Sequence, residues 1–280
     1  MDAKICIVTG ATSGIGKEIA RGLVAQGAQV GIVGRNPDKV KATAEELGGA
    51  VETYLADLSE LSQVRTLAAE LHRRNERIDV LVNNAGINSS SPQPTSEGYD
   101  AMLVTNYLAP FLLTNLVLDL LKAGAPARVV NVASEAHRLS DRLDPDRLTD
   151  FSPSGAISGN RLYGRTKLAL ILSTQELAAR LQGSGVTANS VCPGLVATNL
   201  VGEATPLTRF AQLASSTPLV RRPEQGASMP LRLATDPSFD GVTGQFISST
   251  PGAGILPKHS ARKDAALQQR LWEATEELVG

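Results

Sequence analysis

Histidine and cysteine are scarce in this chain, and where they stand removes several chemistries at once. The three histidines, His72, His137 and His259, lie far apart and pair with no cysteine cluster, so no metal-ligand spacing exists. The two cysteines, Cys6 in ICIVT and Cys192 in TANSVCPG, are too few for a disulfide framework. Both sit in apolar strand-like runs, which suits buried free thiols in a reducing compartment. An excess of either charge is also missing: 27 basic and 28 acidic residues leave a net charge of −1 and no electrostatic footprint for nucleic acid or anionic lipid. The opening MDAKICIVTG holds only a five-residue apolar run, too short for a signal h-region or a membrane span. A cytoplasmic protein without nucleic-acid or membrane partners is expected.

What is present is a regular alternation. Short β-branched runs fall at 5–9, 29–33, 51–55, 78–82, 128–132, 186–191 and 243–248, with helical patterns between them at about 15–27, 37–47, 59–75, 96–123, 161–182, 223–235 and 260–278. Pro37 at a first turn, Ser59 before ELSQVR and the Gly48-Gly49 pair after AEEL mark helix boundaries. Strands alternating with helices predict an α/β, doubly wound parallel sheet of seven strands with right-handed crossovers. The 280 residues show neither a linker nor an internal repeat, so a single domain over 1–280 is expected.

The first chemical feature is the strand-to-helix turn TGATSGIG, with glycines at Gly10, Gly14 and Gly16. Glycines there let a backbone approach a pyrophosphate, and the following helix supplies oriented N–H groups. Their spacing is not G-x-G-x-x-G, and three glycines in a tight turn also serve packing alone. At the end of the second run stands Gly34-Arg35-Asn36, where a carboxylate would favour NAD. A guanidinium at this point can fork onto a 2′-phosphate and stack on adenine, which favours NADP(H); a solvated loop arginine is the plain alternative.

Further along, Tyr163 and Lys167 stand one helical turn apart in LYGRTKLA, downstream of Ser134. A nearby cation favours a phenolate and eases proton transfer at neutral pH. Alone, the pair is a common arrangement on solvated helix faces.

With these motifs in place the chain resembles the short-chain dehydrogenase/reductase family. The likeness rests on TGATSGIG at 9–16, Asp57 in LADL, NNAG at 83–86, Asn106 in LVTNYLAPF, Ser134 in VVNVAS, YGRTK at 163–167 and PGLVAT at 193–198, in the family's order over nearly the whole length. Within the family it is most similar to the retinol-dehydrogenase-like and protochlorophyllide-reductase-like branch, through the segment TSEGYDAMLVTNYLAPFLLTNLVLDLLK, SEAH at 134–137 and the ending LQQRLWEATEELVG. Ala109, Pro110, Ala133 and the CPG run depart from residues common in that branch, which puts retinoid specificity in doubt without removing a catalytic group.

The resemblance implies a Rossmann domain and a role for each matching residue. Gly10, Thr12, Ser13, Gly14, Ile15 and Gly16 would cradle the pyrophosphate, with Arg35 and Asn36 at the adenosine ribose. Asp57 would accept from the adenine amino group beside Leu58, although LADLSE also reads as a helix cap. Asn83, Ala85 and Gly86 would lie against the cofactor. Ser134 would bond the substrate oxygen, and Tyr163 would be general acid in reduction and base in oxidation. Lys167 would hold the nicotinamide ribose and lower the Tyr163 pKa, and Asn106 would hold a water that reconnects Lys167 to solvent. Pro193, Gly194, Val196 and Thr198 would meet the carboxamide and pyrophosphate. Pairing of the long helices would give a homodimer or homotetramer, unless the carboxyl-terminal helix covers them.

Substrate scope falls to the segments 138–162 and 200–222, read as a rim and a lid. The resulting expectation is an NADP(H)-dependent ketoreductase or alcohol dehydrogenase acting on a carbonyl or secondary alcohol of a bulky lipophilic or polycyclic small molecule. Reduction of a conjugated C=C bond is a second reading, disfavoured by the lack of an evident cysteine donor near the site. A catalytically silent nucleotide sensor or scaffold is the third, disfavoured because Asn106, Ser134, Tyr163 and Lys167 are all present.

Overall fold

The computed structural model describes residues 1–140, 143–150, 156–196, 221–255, 257 and 259–280. Seven parallel strands form one sheet in the order β3-β2-β1-β4-β5-β6-β7: β1 (Ile5–Thr9), β2 (Gln29–Gly34), β3 (Val51–Leu55), β4 (Val80–Asn83), β5 (Ala127–Val132), β6 (Val186–Cys192) and β7 (Phe246–Ser248). The central strands β1, β2, β4, β5 and β6 read as nearly continuous apolar runs because both faces are covered, whereas the edge strand β3 (VETYL) is mostly exposed. Cys6, Val8, Val30 and Ile32 face a core shared with α1 (Gly14–Ala25), α2 (Pro37–Leu47) and, near the far edge, the helix Pro223–Thr235. Ile7, Val33, Leu81 and Val129 face the opposite core. The latter is closed by α3 (Leu61–Arg74), by α4 (Ala101–Leu103), α5 (Ala109–Leu116) and α6 (Leu118–Ala123), and by the long α7 (Ala156–Arg180). We number Pro223–Thr235 as α8 and the last helix, Ala265–Val279, as α9. The strand order reverses between β1 and β4, which opens a crevice at their carboxyl ends.

Several boundaries differ from the sequence expectation for identifiable reasons. Ser59 is not the cap of α3; Glu60 holds that position, and the Ser59 hydroxyl turns back to Asp57 Oδ1 at 2.7 Å. The helix expected over 96–123 begins only at Ala101, because Pro94 bridges to Asp100 and Gly98 adopts φ +84°, leaving Asp100 to cap the Met102 N–H at 2.9 Å. It then widens into a π-turn over Val104–Leu108. Pro110 lacks an N–H and its ring would collide with the Asn106 carbonyl four residues back, so the regular ladder cannot run through this point.

In the opposite sense, α7 starts at Ala156 rather than 161. The run SGN reads as a breaker, but Gly159 fits where a Cβ would lie 2.4 Å from the Ser89 carbonyl oxygen, so close packing decides in favour of helix. Part of the expected rim is also core: Leu143 and Leu148 are buried, and Arg270 of α9 reaches Asp146 at 2.9 Å. The remaining rim residues 141–142 and 151–155, and nearly all of the expected lid, lie outside the described residues.

The carboxyl-terminal helix covers the outer face of α5 and α7. Trp272 packs 4.6 Å from the Phe111 ring, the Arg180 guanidinium lies 4.7 Å over Trp272, and Thr275 hydrogen-bonds the buried Tyr107 hydroxyl at 2.6 Å. No helix among the described residues is long and apolar enough to cross a membrane.

Candidate active site

The β1–α1 turn shows what its glycines do. A Cβ on Gly16 would lie 2.4 Å from the Gly10 carbonyl oxygen and 2.3 Å from Asn84 Nδ2, and Gly10 itself holds φ +64°. Packing alone already requires glycine at both positions. Ser13 precedes α1 without spending its side chain on a cap, and no acidic residue occupies the first turn. The helix amino terminus is thus left with unclaimed N–H groups and its positive dipole end. Thr12 packs at Gly34, where a Cβ would meet its methyl at 2.7 Å, and Ile15 faces Gly226 of α8. The turn is tied to the segment after β4 by Thr9 and Asn84, neither of which the family likeness singles out. Thr9 Oγ1 accepts from the backbone N–H groups of Asn84 and Ala85 at 3.0 and 3.1 Å, and Asn84 Nδ2 donates to the Thr9 carbonyl at 3.0 Å. Both lie inside the motifs TGATSGIG and NNAG, so the motifs themselves are the signal that could have found them.

At the edge of the crevice, the Arg35 side chain is 72 % exposed and its guanidinium stands 3.9 Å from Asp57. Asp57 also accepts from the Ser59 N–H, so it organises the turn before α3. Asn36 is engaged as the cap of α2, accepting from the Lys39 N–H at 2.9 Å. Leu58 is largely buried in the core. Asn83 is directed away from the crevice: its amide donates to Thr114 at 3.0 Å and to Asn131 at 2.8 Å, and Asn131 in turn donates to Thr174. This buried chain stitches β4 and β5 to α5 and α7.

Deeper in, four elements converge. Gly86 lets the backbone approach so closely that a Cβ there would lie 3.2 Å from Asn106 Oδ1 and 3.4 Å from Lys167 Nζ. Asn106, fully buried on the π-turn, clamps Ile87 by accepting its N–H and donating to its carbonyl, each at 2.8 Å. Its amide also donates to Thr166, whose hydroxyl donates to the Tyr163 carbonyl at 2.8 Å. Lys167 Nζ donates to the Val132 carbonyl at 2.8 Å and lies 5.8 Å from the Tyr163 ring centroid. Ser134 follows β5, its hydroxyl oxygen accepts from the Ala136 N–H at 3.1 Å, and hydrogen bonding from its side chain favours the Tyr163 phenolate.

Burial governs the electrostatics here. It pushes the Tyr163 phenol up to about 12 despite the Ser134 hydrogen bond, and it pulls the Lys167 ammonium down to about 8. The Tyr163 phenol therefore stands above its ordinary value rather than below it as expected, because desolvation of the phenolate outweighs the Ser134 hydrogen bond. A second correction concerns sulfur. Cys192, at the end of β6, accepts from the Glu135 and Gly194 backbone N–H groups at 3.3 and 3.4 Å and stands within electrostatic reach of Tyr163 and Lys167. A buried thiol does lie beside the site.

On the far wall, Pro193 is buried and Gly194 adopts φ +89°, with the Arg221 side chain laid against it. Val196 bridges to Arg221 and packs on Gly226. Thr198 lies outside the described residues. The glycine cradle, the open end of α1 and the exposed Arg35 fit an extended anionic dinucleotide laid across the crevice.

A family model described as short chain dehydrogenase matches residues 4–141, and a second, described as Enoyl-(Acyl carrier protein) reductase, matches 148–253. Human retinol dehydrogenase 12 is 35% identical over 285 residues, covering 100% of this chain and 87% of that protein. The chain belongs to the short chain dehydrogenase family. Its likeness to retinol dehydrogenases extends to human retinol dehydrogenase 13, 35% identical over 289 residues, with 99% of this chain and 85% of the relative covered. Bovine dehydrogenase/reductase SDR family member 13 is 38% identical over 288 residues, covering 99% of this chain and 73% of that one. Among solved structures, an uncharacterized protein from Mycobacterium paratuberculosis superposes with a TM-score of 0.77 at 30% identity, covering 99% of this chain and 94% of the other. The Pseudomonas aeruginosa RhlG/NADP active-site complex superposes at 0.71 with 28% identity, covering 90% and 96%. This short chain dehydrogenase is accordingly an oxidoreductase of the retinol-dehydrogenase-like branch, built to bind a nicotinamide cofactor and act on a small molecule.

Proposed function

We propose that this protein is an NADP(H)-dependent oxidoreductase that interconverts a carbonyl and a secondary alcohol on a bulky lipophilic or polycyclic substrate. The observation that carries the reading is the convergence of Ser134, Tyr163, Lys167 and Asn106 at the carboxyl edge of the sheet, next to the glycine turn. The cofactor supplies or accepts the hydride; the protein supplies position and proton. Ser134, whose oxygen accepts from the Ala136 N–H and whose hydroxyl is hydrogen-bonded with Tyr163, stands where it can turn its proton to a substrate carbonyl oxygen. Tyr163, protonated at neutral pH, delivers its proton to that oxygen as negative charge develops there. Lys167 replaces the proton through a water held at Asn106, and Asn106 also clamps the loop at Ile87.

Arg35, exposed at the end of β2, supports NADP(H) over NAD(H), as does the likeness to a structure solved with NADP. The bulky, apolar substrate class is supported by exposed hydrophobic side chains at the carboxyl side of the sheet: Leu139 beyond Ser134, Ile157 at the start of α7, and Leu195 after Gly194. A single-domain organisation of 1–280, with 138–162 and 200–222 contributing to substrate access, belongs to the same proposal. The fit of α9 over α5 and α7 supports a monomer through that face, in place of helix pairing between copies.

Turnover of NADPH and NADH across aromatic, steroid, retinoid and polyketide-like ketones tests the reading. NADPH oxidation with at least one bulky ketone, lost by about a thousandfold in Tyr163→Phe, is expected. No NADPH binding, or a Tyr163→Phe variant as active as the parent, overturns it. Reduction of a conjugated C=C bond gains one supporting observation in Cys192 beside the site, and an enone panel with Cys192→Ala separates the two chemistries.

A further inference from the structure

The residue after next but one from Ser134 carries a buried imidazole with no evident role in proton transfer. The five residues Glu135–Leu139 form a 3₁₀ turn, and His137 is fully buried within it. Its Nδ1 lies 2.8 Å from the Ser134 carbonyl oxygen, which also takes the His137 backbone N–H at 3.2 Å. A carbonyl only accepts, so Nδ1 bears the proton and Nε2 is the bare nitrogen. That Nε2 has no partner among the described residues. Burial holds the ring's pKa down to about 4, so the imidazole stays neutral and keeps this tautomer at physiological pH.

A buried nitrogen without a partner is a net cost to stability, which a phenyl ring in the same space would avoid. The ring's packing does not require imidazole: it meets Phe246 edge-on at 4.9 Å between centroids, a contact open to any aromatic side chain. What imidazole adds is the Nδ1–H bond to Ser134. We propose that His137 is a positioning residue for Ser134, locking the serine's backbone so that its hydroxyl faces Tyr163; this rests on the function proposed above.

The surrounding contacts give the lock a frame. On one side the turn sits against α7 directly beside Tyr163, at Gly164, where a Cβ would lie 2.5 Å from the Ala136 carbonyl oxygen. On the other side Arg138 pairs with Glu135 and donates to the carbonyls of Pro257 and Ala253, anchoring the turn to the segment that follows β7. Cys192 holds the Glu135 N–H from the end of β6. With the turn fixed at its flanks and Ser134 Oγ held by Ala136, the Ser134 carbonyl has the long backbone bond from His137 N–H, and the shorter imidazole bond is what tightens it. Loss of that bond loosens the angle at which Ser134 presents its proton, and small misplacements of reacting groups act on kcat far more than on ground-state binding.

The test compares His137→Phe, which keeps the ring and loses the donor, with His137→Asn, whose amide can place a donor near Nδ1. Steady-state kinetics with a ketone accepted by the parent, NADPH affinity by fluorescence titration and thermal midpoints are measured for each. His137→Phe should lose about 10- to 100-fold in kcat with KM and NADPH affinity within about threefold of the parent. His137→Asn should recover most of that loss. A Phe variant with parental kcat, or an Asn variant as impaired as Phe, overturns the role of His137. If His137→Phe does not fold, Arg138→Gln, which releases the outer anchor, should still lower kcat more than it raises KM, and a change in KM alone overturns the proposal. A parent that turns over no ketone overturns the proposed function, and with it the role assigned here; a turning-over parent with an unaffected Phe variant overturns only the latter.

Discussion

Lys167 reaches past Tyr163 to the strand behind it, donating to the Val132 carbonyl at 2.8 Å while its ammonium stays 5.8 Å from the Tyr163 ring centroid. The two residues share one helix face and one dry environment, and burial moves them in opposite directions: the phenol up to about 12, the ammonium down to about 8. Each is thereby biased toward its neutral form, which suits a pair that passes a proton rather than stores a charge.

That bias has a stability consequence with a definite sign. Lys167 binds its proton less tightly in the folded chain than the ordinary 10.5, so folding is penalised below pH 8 and the penalty is relieved as pH rises from about 8 to 10.5. Tyr163 acts the other way higher up: its stabilising contribution is whole below pH 10 and is lost as pH rises toward 12. Lys167→Met should therefore raise stability at pH 7 by on the order of 1–3 kcal/mol and flatten the rise between pH 8 and 10, while abolishing turnover. Denaturant unfolding at a series of pH values checks this; a Met variant less stable than the parent at pH 7 speaks against a desolvated lysine.

Cofactor choice should turn on Arg35. Its guanidinium is solvent-exposed and, among the described residues, is approached loosely by Asp57 at 3.9 Å, so it is available to a phosphate. Arg35→Asp should raise KM for NADPH at least tenfold and improve the NADH to NADPH ratio of kcat/KM, with kcat on saturating cofactor little changed. Unchanged cofactor preference would remove Arg35 from the argument for NADP(H).

The carboxyl-terminal helix should behave as part of the core. Trp272 is 3 % exposed, stacked between Phe111 and Arg180, and lies on the face that would otherwise be open on α5 and α7. Trp272→Ala should cost about 3–5 kcal/mol and lower the thermal midpoint markedly. It should also increase self-association in light scattering, since it bares apolar surface on two helices. A monomeric, undiminished variant would mean that α9 packs more loosely than these distances indicate.

Much of this molecule is legible in one dimension because its signals are local. Apolar runs with both faces buried mark the strands, Pro37 and Gly48 bracket α2, and the motifs around Gly10, Asn83, Asn106, Ser134 and Tyr163 carry the family likeness. Other features answer to contacts between distant segments and leave no local trace. Gly159 reads as a breaker yet is helical because the Ser89 carbonyl leaves room for nothing larger. Asn83 stands in a cofactor motif yet spends its amide on Thr114 and Asn131.

What the sequence alone determined is the order of strands and helices, the family, and the short roster of side chains able to move a proton beside a nucleotide. Periodicity and motif spacing are properties of neighbouring residues, so they survive without coordinates. Only the tertiary structure decided how those side chains act on one another. It brought Cys192 from the end of β6 against the turn that follows Ser134, and it buried Tyr163 deeply enough for desolvation to outweigh the Ser134 hydrogen bond. Desolvation depends on everything packed around a group, and no run of consecutive residues encodes that sum.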